Sequence, residues 1–174
     1  SKITKMKEIL DGRVKTLNSK LYGSILYKRD NKEHIEEFKK LKVPKIDLVI
    51  INLYPFEKIS KKNSEDKIVE MIDIGGPSLL RAAAKNYKFI TAISSIKNYE
   101  KLILNLKKNR GITDINFRKK MASEVFKKTS TYDDIINQWL IKYKKNNQNK
   151  SLRYGENPNQ KSYIKEENGI SIFD

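Results

Sequence analysis

The stretch IDIGGPSLLRAAAKN, residues 72–86, decides how the rest of the chain is interpreted. It joins an acidic residue, Asp73, to a glycine pair, Gly75 and Gly76, and then to a helical pattern rich in leucine and alanine. Glycine lets backbone N–H groups approach a ligand closely, and a helix N-terminus carries partial positive charge. The stretch therefore predicts a helix that could bind an anion at its start, although a plain glycine-led helix gives the same local pattern.

Three polar side chains follow at helical spacing in the same stretch. Ser78, Arg81 and Lys85 are three and four residues apart, which places them on one face of the predicted helix. A hydroxyl, a guanidinium and an amine on one face would suit an anionic ligand. Solvated cations on an exposed face are the ordinary alternative.

The composition indicates a soluble globular protein. It excludes metal sites built from cysteine or from several histidines. The chain has 174 residues, no cysteine and one histidine, His34, which we expect to be structural. The longest apolar run, Leu48–Leu53, is far too short for the ~20 residues of a membrane helix, and no secretory leader opens the chain. We therefore expect a cytoplasmic protein with no membrane partner.

The formal charge of +16, from 37 basic and 21 acidic residues, invites a nucleic-acid hypothesis. The excess is mostly lysine spread along the chain, whereas base and phosphate recognition favours arginine. Lysine, isoleucine and asparagine together are typical of an AT-rich coding sequence. We therefore predict no nucleic-acid partner; a true nucleic-acid binder would lose affinity steeply with salt.

Two apolar runs predict parallel strands. Lys45–Leu53 is rich in β-branched residues and predicts a buried strand, and Phe89–Ser94 predicts a second one. Asn52 and Tyr54 follow the first run, and ligands bind at the carboxyl edge of such sheets. They could bind a ligand there, or Asn52 could cap the strand while Tyr54 packs.

Helical periodicity surrounds these strands, so the order predicts an α/β fold with helices on both sheet faces. Ser95 is the expected cap of the helix that follows the second strand. A polar loop is expected at 58–67 and a polar linker at 142–150. The predicted helices are Ile3–Leu10, Lys20–Tyr27, Asn31–Leu41, Ser64–Met71, Ile96–Asn109 and the long region Asp114–Ile141.

The segment DGRVKTL, residues 11–17, carries a second basic motif. Arg13 and Lys15 alternate with Val14 and Thr16, so an extended backbone would put both cations on one side. Two cations beside a glycine suit a phosphate or a developing oxyanion. An ordinary exposed basic turn is the simpler local interpretation.

Four motifs in order carry a family resemblance: DGRVKTL, INLYPFEK, IDIGGPSLLRAAAKNY and LRYGENPNQ. The chain resembles the bifunctional purine biosynthesis proteins that join IMP cyclohydrolase to AICAR transformylase. The resemblance implies a methylglyoxal-synthase-like fold, a three-layer arrangement of a parallel sheet between helices. It assigns residues 1–146 to an N-terminally incomplete cyclohydrolase domain, and residues 147–174 to a linker and the start of the transformylase domain.

The implied reaction closes 5-formamido-AICAR to IMP with loss of water. The resemblance implies a purine nucleotide as the small-molecule substrate, a homodimer, no cofactor or metal for the cyclohydrolase, and 10-formyltetrahydrofolate for the transformylase part. A non-catalytic nucleotide-binding regulatory module on the same fold is the alternative. A sensor would need the phosphate site but not the reacting end, so the presence of both favours the enzyme.

The resemblance also implies roles for individual residues. Arg13 and Thr16 would hold the 5′-phosphate, while Asp73 and Lys85 would act as a pair near the carboxamide. The implied catalytic residues are Lys15, Tyr54, Asp73 and Lys85. The implied substrate-binding residues are Arg13, Thr16, Asn52, Gly75, Gly76, Arg153 and Tyr154.

The sequence departs from the family pattern at two places. Residues 18–24, NSKLYGS, replace the usual HPKIHGG, so Asn18 and Tyr22 stand where the family has histidines, and Asn159 replaces another. The resemblance also implies that the chain lacks the family's N-terminal part, a serine-rich stretch and a Gly-Gly-Thr turn that complete the phosphate pocket. We therefore expect the isolated chain to fold imperfectly or to be inactive alone.

Overall fold

The computed structural model describes residues 9–56, 64–147, 150–151 and 163–164. By internal contacts the chain divides into two units, Ser1–Tyr132 and Asp133–Asp174. The second unit contains a short antiparallel pair, Lys150–Ser151 with Tyr163–Ile164. The α/β architecture belongs to the first unit.

In the described part of the first unit, the sheet pairs two parallel strands, β1 (Leu48–Ile50) and β2 (Thr91–Ile93). Hydrogen bonds of 3.0 Å from Thr91 to Asp47 and from Ile51 to Ile93 extend the pairing by one residue at each end of β1. Both strands lie inside the predicted runs but are shorter. The prediction that β1 is buried on both faces is wrong, because Leu48 and Ile50 are 37% and 42% exposed while Val49 is buried.

Among the described residues, α-helices precede, separate and follow the two strands. Their order along the chain matches the predicted alternation of strands and helices. They are α1 (Ser19–Leu26), α2 (Lys32–Leu41), α3 (Glu65–Glu70), α4 (Gly75–Lys85), α5 (Tyr99–Lys108) and α6 (Ile115–Asn147).

Side-chain caps fix several helix starts where the sequence predicts them. The Asn31 side chain accepts a 3.0 Å bond from the His34 N–H at the start of α2. Ser95 accepts a 3.3 Å bond from the Lys97 N–H, which begins the 3-10 turn before α5. His34 Nδ1 in turn accepts a bond from the Lys28 N–H, so the one histidine has the structural role expected of it.

The core lies on both faces of β2, because successive strand residues point to opposite faces. Ala92 packs in a cluster with Leu80 and Ala83 of α4. Ile93 packs in a separate cluster with Leu102 of α5 and Met121 of α6. Helices therefore cover both sheet faces, and the predicted α/β fold with a parallel sheet between helices is confirmed.

The prediction for the start of the first unit needs correction. Residues 3–8 of the predicted first helix lie outside the described residues, and its end is a bridge residue and a distorted 3-10 turn instead of an α-helix. Ile9 pairs with Val14 in an isolated antiparallel bridge, and Leu10 and Asp11 adopt left-handed backbone angles, with φ of 54° and 51°. Asp tolerates that conformation through local hydrogen bonding better than most residues do.

Two predicted irregular segments are partly helical. The expected linker at 142–150 continues α6 as far as Asn147, because the lysines there favour helix and no glycine or proline interrupts it. The expected loop at 58–67 includes the first turn of α3, which begins at Glu65. Residues 57–63 of that loop lie outside the described residues.

Candidate functional site

A cavity of about 990 Å³ opens beside the carboxyl end of β1 and the N-terminus of α4. Three separated segments line it: residues 11–13 and 15–17, then Ile51 and Tyr54, then residues 69–76 with Leu79. Ligands of open α/β sheets bind at this edge, and helix N-termini there favour anions. The position of the cavity is therefore the one that the strand pattern predicts.

Most of the predicted site residues meet at this cavity. Asn52 and Lys85 do not line it, and Arg153 and Tyr154 lie outside the described residues. The predicted residues that do line it are Arg13, Lys15, Thr16, Tyr54, Asp73, Gly75 and Gly76.

The two basic residues of the first segment are exposed at the cavity, as their alternation with Val14 and Thr16 predicts. The backbone is not fully extended there, because Arg13 has right-handed helical angles after a 3-10 turn. The alternation of exposure survives this turn, and Arg13, Lys15 and Thr16 all line the cavity.

Arg13 forms a two-pronged ion pair with Glu70, the last residue of α3. The Arg13 Nε donates to Glu70 Oε2 at 3.2 Å, and the Arg13 NH2 group contacts Glu70 Oε1. The hydrogen bond and charge of Glu70 raise the pKa of Arg13, and the hydrogen bond from Arg13 lowers the pKa of Glu70. The side chains are 65% and 52% exposed, so solvent weakens the pair, and an anionic ligand could take the place of Glu70.

Asp73 is held through both its side chain and its backbone. Its Oδ1 accepts a 2.8 Å hydrogen bond from the Gly76 N–H, which caps the start of α4. Its own backbone N–H donates to the Tyr132 hydroxyl at 2.8 Å. These two bonds fix the carboxylate at the cavity wall.

The glycine pair allows close approach of two site residues. A Cβ at Gly75 would lie 2.4 Å from Thr16 Oγ1, and a Cβ at Gly76 would lie 2.2 Å from Asp73 Oδ2. The sequence suggested that these glycines present N–H groups to a ligand. In the structure they make room for Thr16 and Asp73, and the Gly76 N–H already bonds the carboxylate.

Tyr54 and Asn52 follow β1 but have different surroundings. Tyr54 lines the cavity and is 64% exposed, so its hydroxyl is accessible to a ligand. Asn52 Nδ2 donates a 2.8 Å hydrogen bond to the Tyr99 hydroxyl at the start of α5. Of the two interpretations of this pair, the structure gives Asn52 a structural partner and leaves Tyr54 at the cavity.

The polar face predicted on α4 does not form one site. Ser78 accepts a 2.7 Å hydrogen bond from the Tyr22 hydroxyl, and the Arg81 guanidinium lies 5.3 Å from the Phe126 ring centroid. Lys85 is exposed at the far end of this 11-residue helix, about 15 Å along the axis from Gly75 at its start. Helical spacing identified the face but not the distance of each residue from the sheet edge.

Sequence reasoning missed two residues of this region, Glu70 and Tyr132. They lie 57 and 59 residues from Arg13 and Asp73, the residues that they bond. Tyr132 belongs to the long helical region predicted at Asp114–Ile141, to which we assigned no site residue. Neither residue stands in a local motif, so no pattern near them indicates these contacts.

No metal centre or membrane segment is found in the part of the chain that the structure describes. Within it, no three His, Asp or Glu side chains converge as metal ligands would. None of the helices there combines the length and apolar character needed to cross a bilayer.

The fold and cavity define an α/β domain of the class that binds small ligands at the carboxyl edge of a parallel sheet. Comparison with known families makes the assignment specific. The chain belongs to the AICARFT/IMPCHase bienzyme family, whose family model matches residues 83–172.

Individual relatives agree with this assignment. The chain is 44% identical over 171 residues to the bifunctional purine biosynthesis protein PurH of Clostridium kluyveri, covering 92% of this chain and 34% of that protein. It is 44% identical over 173 residues to PurH of Fusobacterium nucleatum subsp. nucleatum, covering 93% and 34%. The chain therefore spans about a third of the length of these curated relatives.

A solved structure shares the fold. The crystal structure of ForH superposes with a TM-score of 0.67 at 28% identity, covering 79% of this chain and 73% of that one. This likeness fits the methylglyoxal-synthase-like arrangement implied by the sequence motifs.

Proposed function

We propose that this chain carries the IMP cyclohydrolase site of purine biosynthesis and closes 5-formamido-AICAR to IMP. The observation that carries the proposal is the convergence of Arg13, Lys15, Tyr54 and Asp73 on one cavity of about 990 Å³. Small-molecule sites fall in the range of about 300–1,000 Å³, so the cavity can accommodate a nucleotide.

The phosphate end of the nucleotide is assigned to the first segment. Arg13 presents a planar fork that matches phosphate oxygens, and the Thr16 hydroxyl lies against Gly75 at the same wall. For Arg13 to bind phosphate, Glu70 must release it. Both side chains are largely exposed, so this exchange requires little rearrangement of the protein.

The reacting end is assigned to Lys15, Tyr54 and Asp73. The carboxamide nitrogen attacks the formyl carbon, and one N–C bond forms. The formyl oxygen then leaves as water, with one proton from each of the two nitrogens. Asp73 accepts the proton from the attacking nitrogen, while Lys15 and Tyr54 stabilise charge on the formyl oxygen.

Most of the rate acceleration should come from positioning, because an amide nitrogen is a poor nucleophile. Two hydrogen bonds support that role, because they hold the carboxylate in one place before substrate arrives. The Asp73 carboxylate accepts one from the Gly76 N–H, and the Asp73 N–H donates the other to the Tyr132 hydroxyl. An isolated carboxylate on a mobile loop would lose part of this advantage.

Other parts of the assignment rest on the family. Lys85, Asn52, Arg153 and Tyr154 remain predicted site residues, and the described cavity gives the first two no direct part. Residues 1–146 are assigned to the cyclohydrolase domain, and 147–174 to a linker and the start of a transformylase domain that would use 10-formyltetrahydrofolate. The protein is assigned as a cytoplasmic homodimer.

The experiment that tests this proposal incubates the chain with 5-formamido-AICAR and follows IMP by chromatography, alongside calorimetric titration with IMP. The family pattern alone favours an inactive chain, but the reacting side chains line one cavity, so we predict that IMP forms. Asp73→Asn should bind IMP but lose turnover. IMP binding without turnover by the unmodified chain would favour the regulatory module instead. Absence of both binding and turnover would overturn the site assignment.

A charge-matched pair separates the cavity from general lysine attraction. Lys15→Gln and Lys101→Gln remove the same charge, but only Lys15 lines the cavity. Lys101 is exposed on α5. Only Lys15→Gln should weaken turnover; equal effects of the two variants would mean that bulk charge, not the cavity, attracts the nucleotide.

A further inference from the structure

A buried aromatic contact lies directly behind the cavity wall. Tyr132 on α6 is 5% exposed, and Phe56 is 2% exposed. Their rings meet edge to face, with centroids 6.3 Å apart and planes at 77°. This is a favourable geometry for two aromatic rings.

The two ends of Tyr132 contact the two segments that carry the reacting side chains. Its hydroxyl accepts a 2.8 Å hydrogen bond from the Asp73 backbone N–H. Its ring packs on Phe56, and the Phe56 N–H bonds the Tyr54 carbonyl at 2.9 Å in a tight turn. A single side chain thus links the backbone of Asp73 to the turn that presents Tyr54.

Removal of the Tyr132 hydroxyl would leave the Asp73 backbone N–H without its acceptor. This N–H is part-buried, so without its acceptor the Asp73 backbone would shift to find another partner. The carboxylate is attached to this backbone, so such a shift moves it relative to Tyr54 and strains the hydrogen bond that it accepts from the Gly76 N–H. Arg13 and Thr16, on the first segment, make no contact with Tyr132 among those described.

We propose that Tyr132 is a positioning residue for ring closure, which sets the distance between the Asp73 carboxylate and the Tyr54 hydroxyl. This inference rests on the proposed cyclohydrolase function. It places the effect of Tyr132 on the chemical step rather than on nucleotide binding, because the phosphate end is held by a different segment.

The test compares Tyr132→Phe with Thr129→Val in steady-state turnover of 5-formamido-AICAR. Tyr132→Phe removes only the hydroxyl and keeps the ring on Phe56. Thr129 is the matched control: it is fully buried one turn earlier on α6, and its hydroxyl bonds the Phe126 carbonyl within the helix. Both changes remove one buried hydroxyl, but only one reaches Asp73.

Tyr132→Phe should lower kcat by about 10- to 100-fold with KM changed less than about twofold, since small displacements of a reacting group cost this much. Thr129→Val should keep the unmodified kcat. Normal kcat in folded Tyr132→Phe, or a rise in KM alone, would overturn the inference. An equal loss of kcat in both variants would also overturn it, because a general loss of stability would then explain the effect.

A second measurement covers the case in which Tyr132→Phe does not fold. Hydrogen exchange at the Asp73 amide of the unmodified chain should be slow if the Tyr132 hydroxyl holds it, and exchange at the rate of an open loop would overturn the contact. A chain that binds IMP but never turns over would instead overturn the proposed function, and with it the positioning role of Tyr132.

Discussion

Replacement of Gly76 by alanine separates the stability of α4 from the placement of the Asp73 carboxylate. The added Cβ would lie 2.2 Å from Asp73 Oδ2 and 2.9 Å from its Cγ. Ordinary van der Waals contact begins near 3.4 Å, so the carboxylate must move by about 1 Å or more. It then loses its bond to the residue 76 N–H.

The expected change in the free energy of unfolding is small, because two effects oppose each other. Loss of the cap costs about 1 kcal/mol. Alanine in place of glycine in a helix gains roughly 0.5–1 kcal/mol. The two should cancel to within about 1 kcal/mol, so the urea midpoint of Gly76→Ala should lie close to that of the unmodified chain.

The expected change in turnover is large. A displacement of about 1 Å in a reacting group can lower the rate by about 100-fold. Turnover of 5-formamido-AICAR and urea unfolding are measured on the same preparation of this variant. Turnover should fall, while the urea midpoint should stay nearly unchanged. A normal rate, with the chain folded, would refute the reasoning that Asp73 must stay where Gly76 holds it.

Gly111→Ala is the reciprocal control. Gly111 has a φ of 87° and nothing within 4 Å of an added Cβ, and it does not line the cavity. Alanine there should destabilise the chain by about 1 kcal/mol through backbone strain while turnover stays unchanged. If Gly111→Ala lowered turnover as much as Gly76→Ala, stability alone would account for both results.

Three further predictions concern affinity, stability and pH. Glu70→Gln removes the internal competitor for Arg13, so calorimetric affinity for IMP should rise roughly two- to fivefold; weaker binding would show that Glu70 helps the ligand. Leu80→Ala should lower the free energy of unfolding by about 2–5 kcal/mol, because Leu80 is fully buried in the core; a loss below about 1 kcal/mol in urea unfolding would contradict the packing described. Hydrogen bonds from the Asn105 side chain and then the Phe117 N–H lower the pKa of Asp114 at the start of α6. The stabilisation from Asp114 should therefore be present above its unfolded pKa of about 4 and disappear as the pH falls through the lower folded value; an advantage over Asp114→Ala that persists at the lowest pH would contradict this.

Local chemistry explains why much of the fold could be predicted from the sequence. The Asn31 and Ser95 side chains cap the helices that they precede, and the β-branched run around Val49 forms β1. These features depend on neighbours within a few residues. The placement of Asp73 beside Gly76 belongs to the same class, because the two are three residues apart.

The remaining features depend on contacts that no local pattern encodes. Spacing places Lys85 on a face of α4, but its position at the far end of the helix depends on where the sheet edge lies. Glu70 and Tyr132 reach Arg13 and Asp73 across more than 50 residues of chain. Such contacts follow from tertiary packing, so the sequence predicted the cavity better than the residues that support its walls.

The central claim is that three separated segments form one binding site for a purine nucleotide. A titration of the isotope-labelled chain with IMP, followed by the backbone amide signals in NMR spectra, tests it most directly. The amides of residues 11–17, Tyr54 and 69–76 should shift together and saturate with one affinity. Shifts spread over the lysine-rich helix surfaces without saturation, or confined to only one of these segments, would contradict the account.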